Sequence, residues 1–240
     1  QKDFFLENTE IQNSLLKLAL KKKIKRTIFL GTSCIYPKFS KTPIKEQSLL
    51  TGELEKTNQC YAIAKIGGIK LCEALYEDYN LDIVCLMPTN VYGINDNFDK
   101  LNGHVIPAMI SKFITSKKNN SKKIKLLGTG KPLREFIHSN DLAEAIIKCL
   151  DYSKSRLKKI SNSKMPIINV GTGENTSISN LAKMISKIIK FKGKILFDKK
   201  SPDGTFKKNL NSKKILSMGW RPKIKLAQGL KQVIEDRLNK

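Results

Sequence analysis

From Phe4 to Ile24 the chain reads FFLENTEIQNSLLKLALKKKI, with apolar residues every three or four positions and lysines at the end. That period predicts an amphipathic helix whose closing cations suit the negative end of its dipole. RTIFLG, Arg26 to Gly31, is a short unbroken apolar run and predicts a buried strand. TSCIYPK follows as a strand-end loop, and Pro37, Pro43 and Gly52 mark a long loop through Asn58. Tyr61 to Tyr79 returns to helical spacing, and LDIVCLMP, Leu81 to Pro88, is a second buried strand. Helices alternating with strands that lack a polar face predict an α/β fold with a parallel sheet covered on both sides.

After Gly93 the texture changes. INDNFDKLNGHVIPAMISKFI reads as a loop entering a helix, and KIKLLGTGKPLREFIH as two short strands around a glycine-rich turn. Asn140 is the expected cap of a helix from Asp141 to Leu150. DYSKSRLKKISNSKM reads as a polar, mobile Lys/Ser insertion. PIINVGTG is a strand, TSISNLAKMISKII a helix, KILF a strand, SPDGT a turn, and Leu226 to Leu238 a closing helix. No internal repeat is evident.

Composition adjusts this picture in three places. The chain has 240 residues, of which 40% are hydrophobic, enough for one large or two small domains. Its net charge of +24, from 45 Lys plus Arg against 21 Asp plus Glu, raises the possibility of a polyanionic partner. Only Arg26, Arg134, Arg156, Arg221 and Arg237 are arginines, and the lysines are scattered, so a solvated lysine surface is the more economical account. No nucleic acid is expected, although the field favours small anions. Cys34, Cys60, Cys72, Cys85 and Cys149 form no C-x-x-C pair, and no histidine stands at ligand spacing, so neither metal nor disulfide is expected. With no apolar run of membrane length and no leader-like opening, the expected location is cytoplasmic. Beginning at Gln1 in mid-helix pattern, the sequence reads as a fragment.

Chemistry first shows at Tyr61-Ala-Ile-Ala-Lys65. Residues four apart share a helical face, and an ammonium beside a phenol favours the phenolate and lowers its pKa. Taken alone, such a pair is more often part of an ordinary amphipathic helix.

Other motifs give it company. GTSCIYP at a strand end, YAIAK, MPTNVYG after the next strand, and REFIHSNDLA together resemble the extended short-chain dehydrogenase/reductase family. With HVIPA, INVGTG and SPDGT in this order, the chain is similar along nearly its whole length to one branch of that family. Members of that branch epimerise a GDP-4-keto-6-deoxymannose at C3 and C5 and reduce it at C4 with NADPH. The resemblance implies a Rossmann-type parallel sheet, its N-terminal half missing, with a smaller C-terminal α/β substrate domain. Residues 1–93 would belong to the cofactor domain and 94–240 mainly to the substrate domain, with about 166–190 returning to the sheet.

The resemblance also implies roles. Tyr61 would give a proton to the C4 oxygen, and Lys65 would hold the nicotinamide ribose and depress Tyr61. Thr32 stands where the family has a serine and can make the same hydrogen bond. Cys34 and His104 would be the acid/base pair of epimerisation, a role for which thiol and imidazole are chemically suited. The other cysteines and His138 would be packing or hydrogen-bonding residues. Leu30, Gly31, Thr32, Ser33, Lys65, Pro88, Thr89, Asn90, Val91 and His104 would line the cofactor. Lys112, Arg134 and Lys208 would meet the GDP-sugar diphosphate, and Asp203 its hydroxyls. Leu127 replaces a tryptophan. The glycine-rich turn that meets a cofactor pyrophosphate is missing, because the GTG stretches at Gly128 and Gly171 come too late. The two leading helices would pack against their copies as a homodimeric four-helix bundle. Two alternatives remain: a non-catalytic remnant binding nucleotide sugars or polyanions through its lysines, or another nucleotide-sugar epimerase or dehydratase.

Overall fold

The structure is a computed structural model that describes residues 2–99, 103–161, 165–201 and 203–239. In chain order its elements are α1 (Lys2–Lys21), β1 (Thr27–Leu30), α2 (Gln59–Tyr79), β2 (Ile83–Pro88), β3 (Asn90–Tyr92), α3 (Val105–Lys118), β4 (Lys123–Leu127) and β5 (Leu133–His138). There follow α4 (Ser139–Asp151), α5 (Lys154–Ser161), β6 (Ile167–Val170), β7 (Asn175–Ser177), α6 (Ile178–Ile189), β8 (Lys194–Asp198), β9 (Lys207–Lys208), α7 (Lys213–Ser217) and α8 (Leu226–Leu238). They form two compact units. The first holds residues 1–89, 142–173 and 209–221, and the second holds 90–141, 174–208 and 222–240.

The first unit is built on a parallel sheet in the order β1-β2-β6. Leu30 lies opposite Leu86, and Pro88 opposite Val170. Every residue of β2 is buried, which is why that strand is apolar without alternation. Ile69, Cys72 and Tyr76 of α2 join Phe29, Ile83 and Met87 in the core. The helix α1 lies on α2, where Gln12 Nε2 donates to the Ala64 carbonyl at 2.8 Å. A Cβ at Gly68 would sit 2.5 Å from the Phe29 ring, so glycine permits the close approach of α2 to the sheet. Below the strands, Arg26 donates to Asp82 at 2.8 Å and to the Cys149 and Leu150 carbonyls, neutralising the end of α4.

The second unit has β5 paired with β3, β7 and β9, and a separate β4-β8 ladder. Its core gathers Ile110 and Phe113 of α3, Leu181 and Ile185 of α6, and Leu230 and Val233 of α8.

Three local expectations change. The lysine/serine stretch after Tyr152 contains the helix α5, with Leu157 fully buried. Lys154 and Lys158 lie over the Tyr76 ring, and Lys154 also donates to Asn80 Oδ1, so the polar surface of this helix is used in docking. Residues 162–164 of that stretch, and Pro202 of the SPDGT turn, lie outside the described residues. Asn140 does not cap α4. The helix starts at Ser139, two residues before the expected Asp141, and the His138 side chain accepts from the Asn140 N–H at 3.2 Å. The two units also meet the chain differently from a division at Gly93. The break falls between Thr89 and Asn90, α6 belongs to the second unit, and 209–221 returns to the first. Reciprocal bonds of Ile44 with Asn209 and Asn211 draw that last segment back.

Candidate active site

The carboxyl end of β1 carries the chemistry of the first unit. Gly31 donates to the Leu86 carbonyl at 2.9 Å. A Cβ there would lie 2.4 Å from the Met87 sulfur, so only glycine lets the strand end pass. Thr32 is extended and opens a single tight turn, Ser33–Ile35, with its Oγ1 accepting from the Cys34 N–H at 3.2 Å. Tyr36 closes the turn from inside the core. Its hydroxyl donates to Asn169 Oδ1 at 2.6 Å, and both residues are buried. The Asn169 N–H reaches Glu46 Oε1 at 3.0 Å, and Glu46 Oε2 stands 3.5 Å from Lys214 Nζ. Burial first, then the Glu46 carboxylate, pushes the Tyr36 phenol well up, so it remains a donor. The turn is therefore pinned at both ends.

The helix α2 brings Tyr61 to this turn, where the Thr32 side chain and the Cys34 sulfur act on its phenol. A hydroxyl can do both jobs, accepting from Cys34 N–H while donating its own hydrogen. Here the expected depression of Tyr61 is overturned. Its phenol is raised, mainly by burial and next by the Cys34 sulfur, with the Thr32 bond opposing. Lys65 lies close to both neighbouring rings, and its nearness does not outweigh the burial. Nζ donates to the Leu30 carbonyl at 3.2 Å and stands 5.4 Å over the Phe29 ring, against 5.9 Å from the Tyr61 ring centroid. Burial also lowers Lys65. A raised phenol keeps its proton at neutral pH, which is the state an acid needs.

Asn58, just before α2, points its amide Nδ2 at Cys34 Sγ, 3.2 Å away. Sequence reading passed over Asn58, Tyr36 and Asn169. An asparagine before a helix reads as a cap, and the other two announce themselves only through a contact 133 residues apart.

The remaining expected residues divide between the units. Pro88 and Thr89 end β2 in the first, and Thr89 N–H meets the Val170 carbonyl at 3.0 Å. Asn90 and Val91 belong to β3 in the second, where Asn90 Nδ2 donates to the Glu135 carbonyl. His104 is exposed and immediately precedes α3, without a side-chain cap bond. Arg134 and Lys208 face each other in the β5-β9 register. Arg134 donates to the Leu133 and Thr205 carbonyls at 2.9 and 2.6 Å. Asp203 accepts from Thr129 N–H and Oγ1 at 2.8 and 2.5 Å, which holds its carboxyl below the usual range. Gly128, at φ +76°, leaves that carboxylate room. Lys112 is bonded to the Lys125 carbonyl, so it serves the β4 backbone. Leu127 is 73% exposed.

The nicotinamide half of a dinucleotide fits the first unit. Leu30 to Ser33, Lys65, Pro88 and Thr89 gather at the carboxyl ends of parallel strands, the crevice side of such sheets, and Gly31 clears the approach. Among the described residues no glycine-rich strand-to-helix turn offers a pyrophosphate cradle. Also among them, no cluster of three or more His, Cys, Asp or Glu could hold a metal, and no helix is long and apolar enough to cross a membrane.

Residues 1–171 match the model of the NAD dependent epimerase/dehydratase family. The chain is 41% identical over 228 residues to GDP-L-fucose synthase of Escherichia coli (strain K12), covering 95% of this chain and 71% of that one. A GDP-L-fucose synthetase from Naegleria fowleri, solved bound to NADP, superposes with a TM-score of 0.87 at 26% identity, covering 99% of this chain and 73% of that one. A GDP-6-OMe-4-keto-L-xylo-heptose reductase from C. jejuni gives a TM-score of 0.90 at 31% identity, covering 99% and 77%.

Proposed function

We infer the activity from one premise: the chain belongs to the NAD dependent epimerase/dehydratase family. Within it, the chain is an enzyme that converts GDP-4-dehydro-6-deoxy-D-mannose to GDP-L-fucose, epimerising C3 and C5 and reducing C4 with NADPH. The observation that carries this reading is the joining of Cys34, Thr32 and Tyr61 on one turn and one helix. A plain carbonyl reductase needs the phenol and the lysine. A sulfur beside them adds a base for the carbon acids flanking the ketone.

The residues act as follows. Thr32 and Tyr61 donate to the C4 oxygen. Cys34, as thiolate, takes the proton from the carbon next to C4, so that a C–H bond breaks, an S–H bond forms and the electron pair moves onto the oxygen. His104 returns a proton from the opposite face. Cys34 then releases its proton to solvent and His104 takes one up, and repeating the step at the second carbon inverts both centres. NADPH, when bound, supplies the hydride for C4, and Tyr61 gives up the proton it holds at neutral pH. Lys65 holds the ribose hydroxyls. Arg134 and Lys208 supply paired cations for the diphosphate, Lys112 adds a further cation, and Asp203 meets hydroxyls.

The exposed residues Phe4, Ile11, Leu15 and Leu18 recur on α1 at seven, four and three positions, and Ile63 is exposed on α2. This supports a homodimer in which both helices pack against their copies as a four-helix bundle. Five free cysteines suit a reducing, cytoplasmic setting.

A second reading, C4 reduction alone, is favoured by the likeness to the C. jejuni reductase. NADPH oxidation with GDP-4-dehydro-6-deoxy-D-mannose, with the product resolved by NMR, separates the two. GDP-L-fucose is expected, a product unchanged at C3 and C5 would support the reductase, and no oxidation at all would fit a non-catalytic binder.

A further inference from the structure

Asparagine is among the best helix caps because its side-chain oxygen accepts from the first free N–H groups, a contact worth about 1 kcal/mol. Asn58 occupies the cap position of α2 and makes no such bond. Its backbone is turned to φ −129°, ψ 20°, away from the extended geometry usual for a cap. Its Nδ2 points instead at Cys34 Sγ, 3.2 Å away, across 24 residues of sequence. Its Oδ1 is buried without a partner. A residue that forgoes a capping bond and leaves a buried oxygen unmet is placed for something other than stability.

We propose that Asn58 is the positioning residue of the epimerisation base, holding the Cys34 sulfur on the substrate side and donating to it when it is ionised. This rests on the reading of Cys34 as that base. The logic is chemical. A thiolate is an acceptor only, and an N–H donor aimed at it favours the charged form. Thr32, accepting from Cys34 N–H, fixes the backbone of the same residue, so sulfur and main chain are gripped from two sides. The titratable group set against the sulfur is the Tyr61 phenol on α2, which keeps its proton and so leaves the thiolate unopposed. Lys65, one turn on, is committed to the Leu30 carbonyl. Asn58 is thus the neutral donor through which this site stabilises sulfur charge.

The test compares Asn58→Ala, Asn58→Asp and Cys34→Ser. Two quantities are read: deuterium uptake at C3 and C5 of GDP-4-dehydro-6-deoxy-D-mannose in D2O, and the rate of iodoacetamide labelling of Cys34 at one pH, resolved by mass spectrometry. Asn58→Ala should slow exchange roughly ten- to a hundredfold, the loss expected for one hydrogen bond to a charged group. Asn58→Asp, nearest in shape and a capable cap, should be slower still because a carboxylate can only repel the thiolate. In both, labelling at a fixed pH should slow, while thermal midpoints stay near the parent because no cap is lost. If Asn58→Asp exchanges and labels like the parent, the role is structural and the proposal fails. If Cys34→Ser abolishes exchange and both Asn58 variants keep it, only the Asn58 proposal falls. If Cys34→Ser itself exchanges normally, the base lies elsewhere and both assignments fall.

Discussion

Replacing Tyr36 by phenylalanine removes one oxygen atom from the core and tests how the Cys34 turn is held. The Tyr36 hydroxyl donates to Asn169 Oδ1 at 2.6 Å, with the two residues 1% and 0% exposed. After the change that oxygen stays buried without its donor. Leaving a buried acceptor unmet costs roughly 1–3 kcal/mol, and the phenyl ring otherwise fills the same space. At about 2 kcal/mol the thermal midpoint should fall by roughly 4–8 °C, given about 2–4 °C per kcal/mol for a protein of this size. The Asn169 bonds to Glu46 and to the Ile44 carbonyl remain, so the loss should not exceed that range. Deuterium uptake at C3 and C5 should fall with it, because Tyr36 closes the turn that carries the sulfur. The assay is a reversible melt monitored by circular dichroism, paired with exchange followed by NMR. A midpoint within about 1 °C of the parent would mean that the bond contributes little net stability and that the turn is held by packing alone.

Other outcomes follow from the same contacts. In the ligand-free protein the Tyr61 phenol should titrate above 10.0, read as the difference in phenolate absorbance between parent and Tyr61→Phe. With the folded value raised, the associated stability is full below the ordinary tyrosine value and lost as pH rises through the folded one, so a midpoint below 10.0 would refute the burial argument. Arg26→Met should cost about 3 kcal/mol, since it strands Asp82, which is paired at 2.8 Å, and the end of α4. An unchanged melt would show that water replaces the guanidinium. Leu127→Trp, at a site 73% exposed, should lower KM for the GDP-sugar about fivefold if an aromatic face there contributes about 1 kcal/mol, and a KM that rises would remove this position from the substrate site.

Much of this was legible in the chain itself. The strand β2 is an unbroken apolar run, β1 is one after its opening threonine, and α2 has its helical period, so the alternation of strand and helix is legible in the sequence. The strands β3, β7 and β9 span two or three residues, too few for any period to show, and they exist because β5 offers them partners. The helix α5 has a polar sequence that predicts loose chain, yet its lysines find the Tyr76 ring and Leu157 finds the core. Tyr61 and Lys65 share a face, as their spacing requires, but spacing cannot say where an ammonium points. Lys65 Nζ donates to the Leu30 carbonyl and lies over both the Phe29 and Tyr61 rings, and burial of the phenol sets the sign of its shift. Asn58 was silent for the same reason, since its partner is set by the fold and not by its neighbours in sequence.

The central claim is that one site performs both proton exchange at carbon and reduction at C4. Cys34→Ser and Tyr61→Phe should separate these steps. In D2O without NADPH, Cys34→Ser should lose deuterium uptake at C3 and C5, and Tyr61→Phe should retain part of it. With NADPH, Tyr61→Phe should lose C4 reduction by roughly 10²–10⁴-fold, the contribution of a positioned acid. Parent protein that reduces the sugar without taking up deuterium at either carbon would contradict the account and leave a C4 reductase.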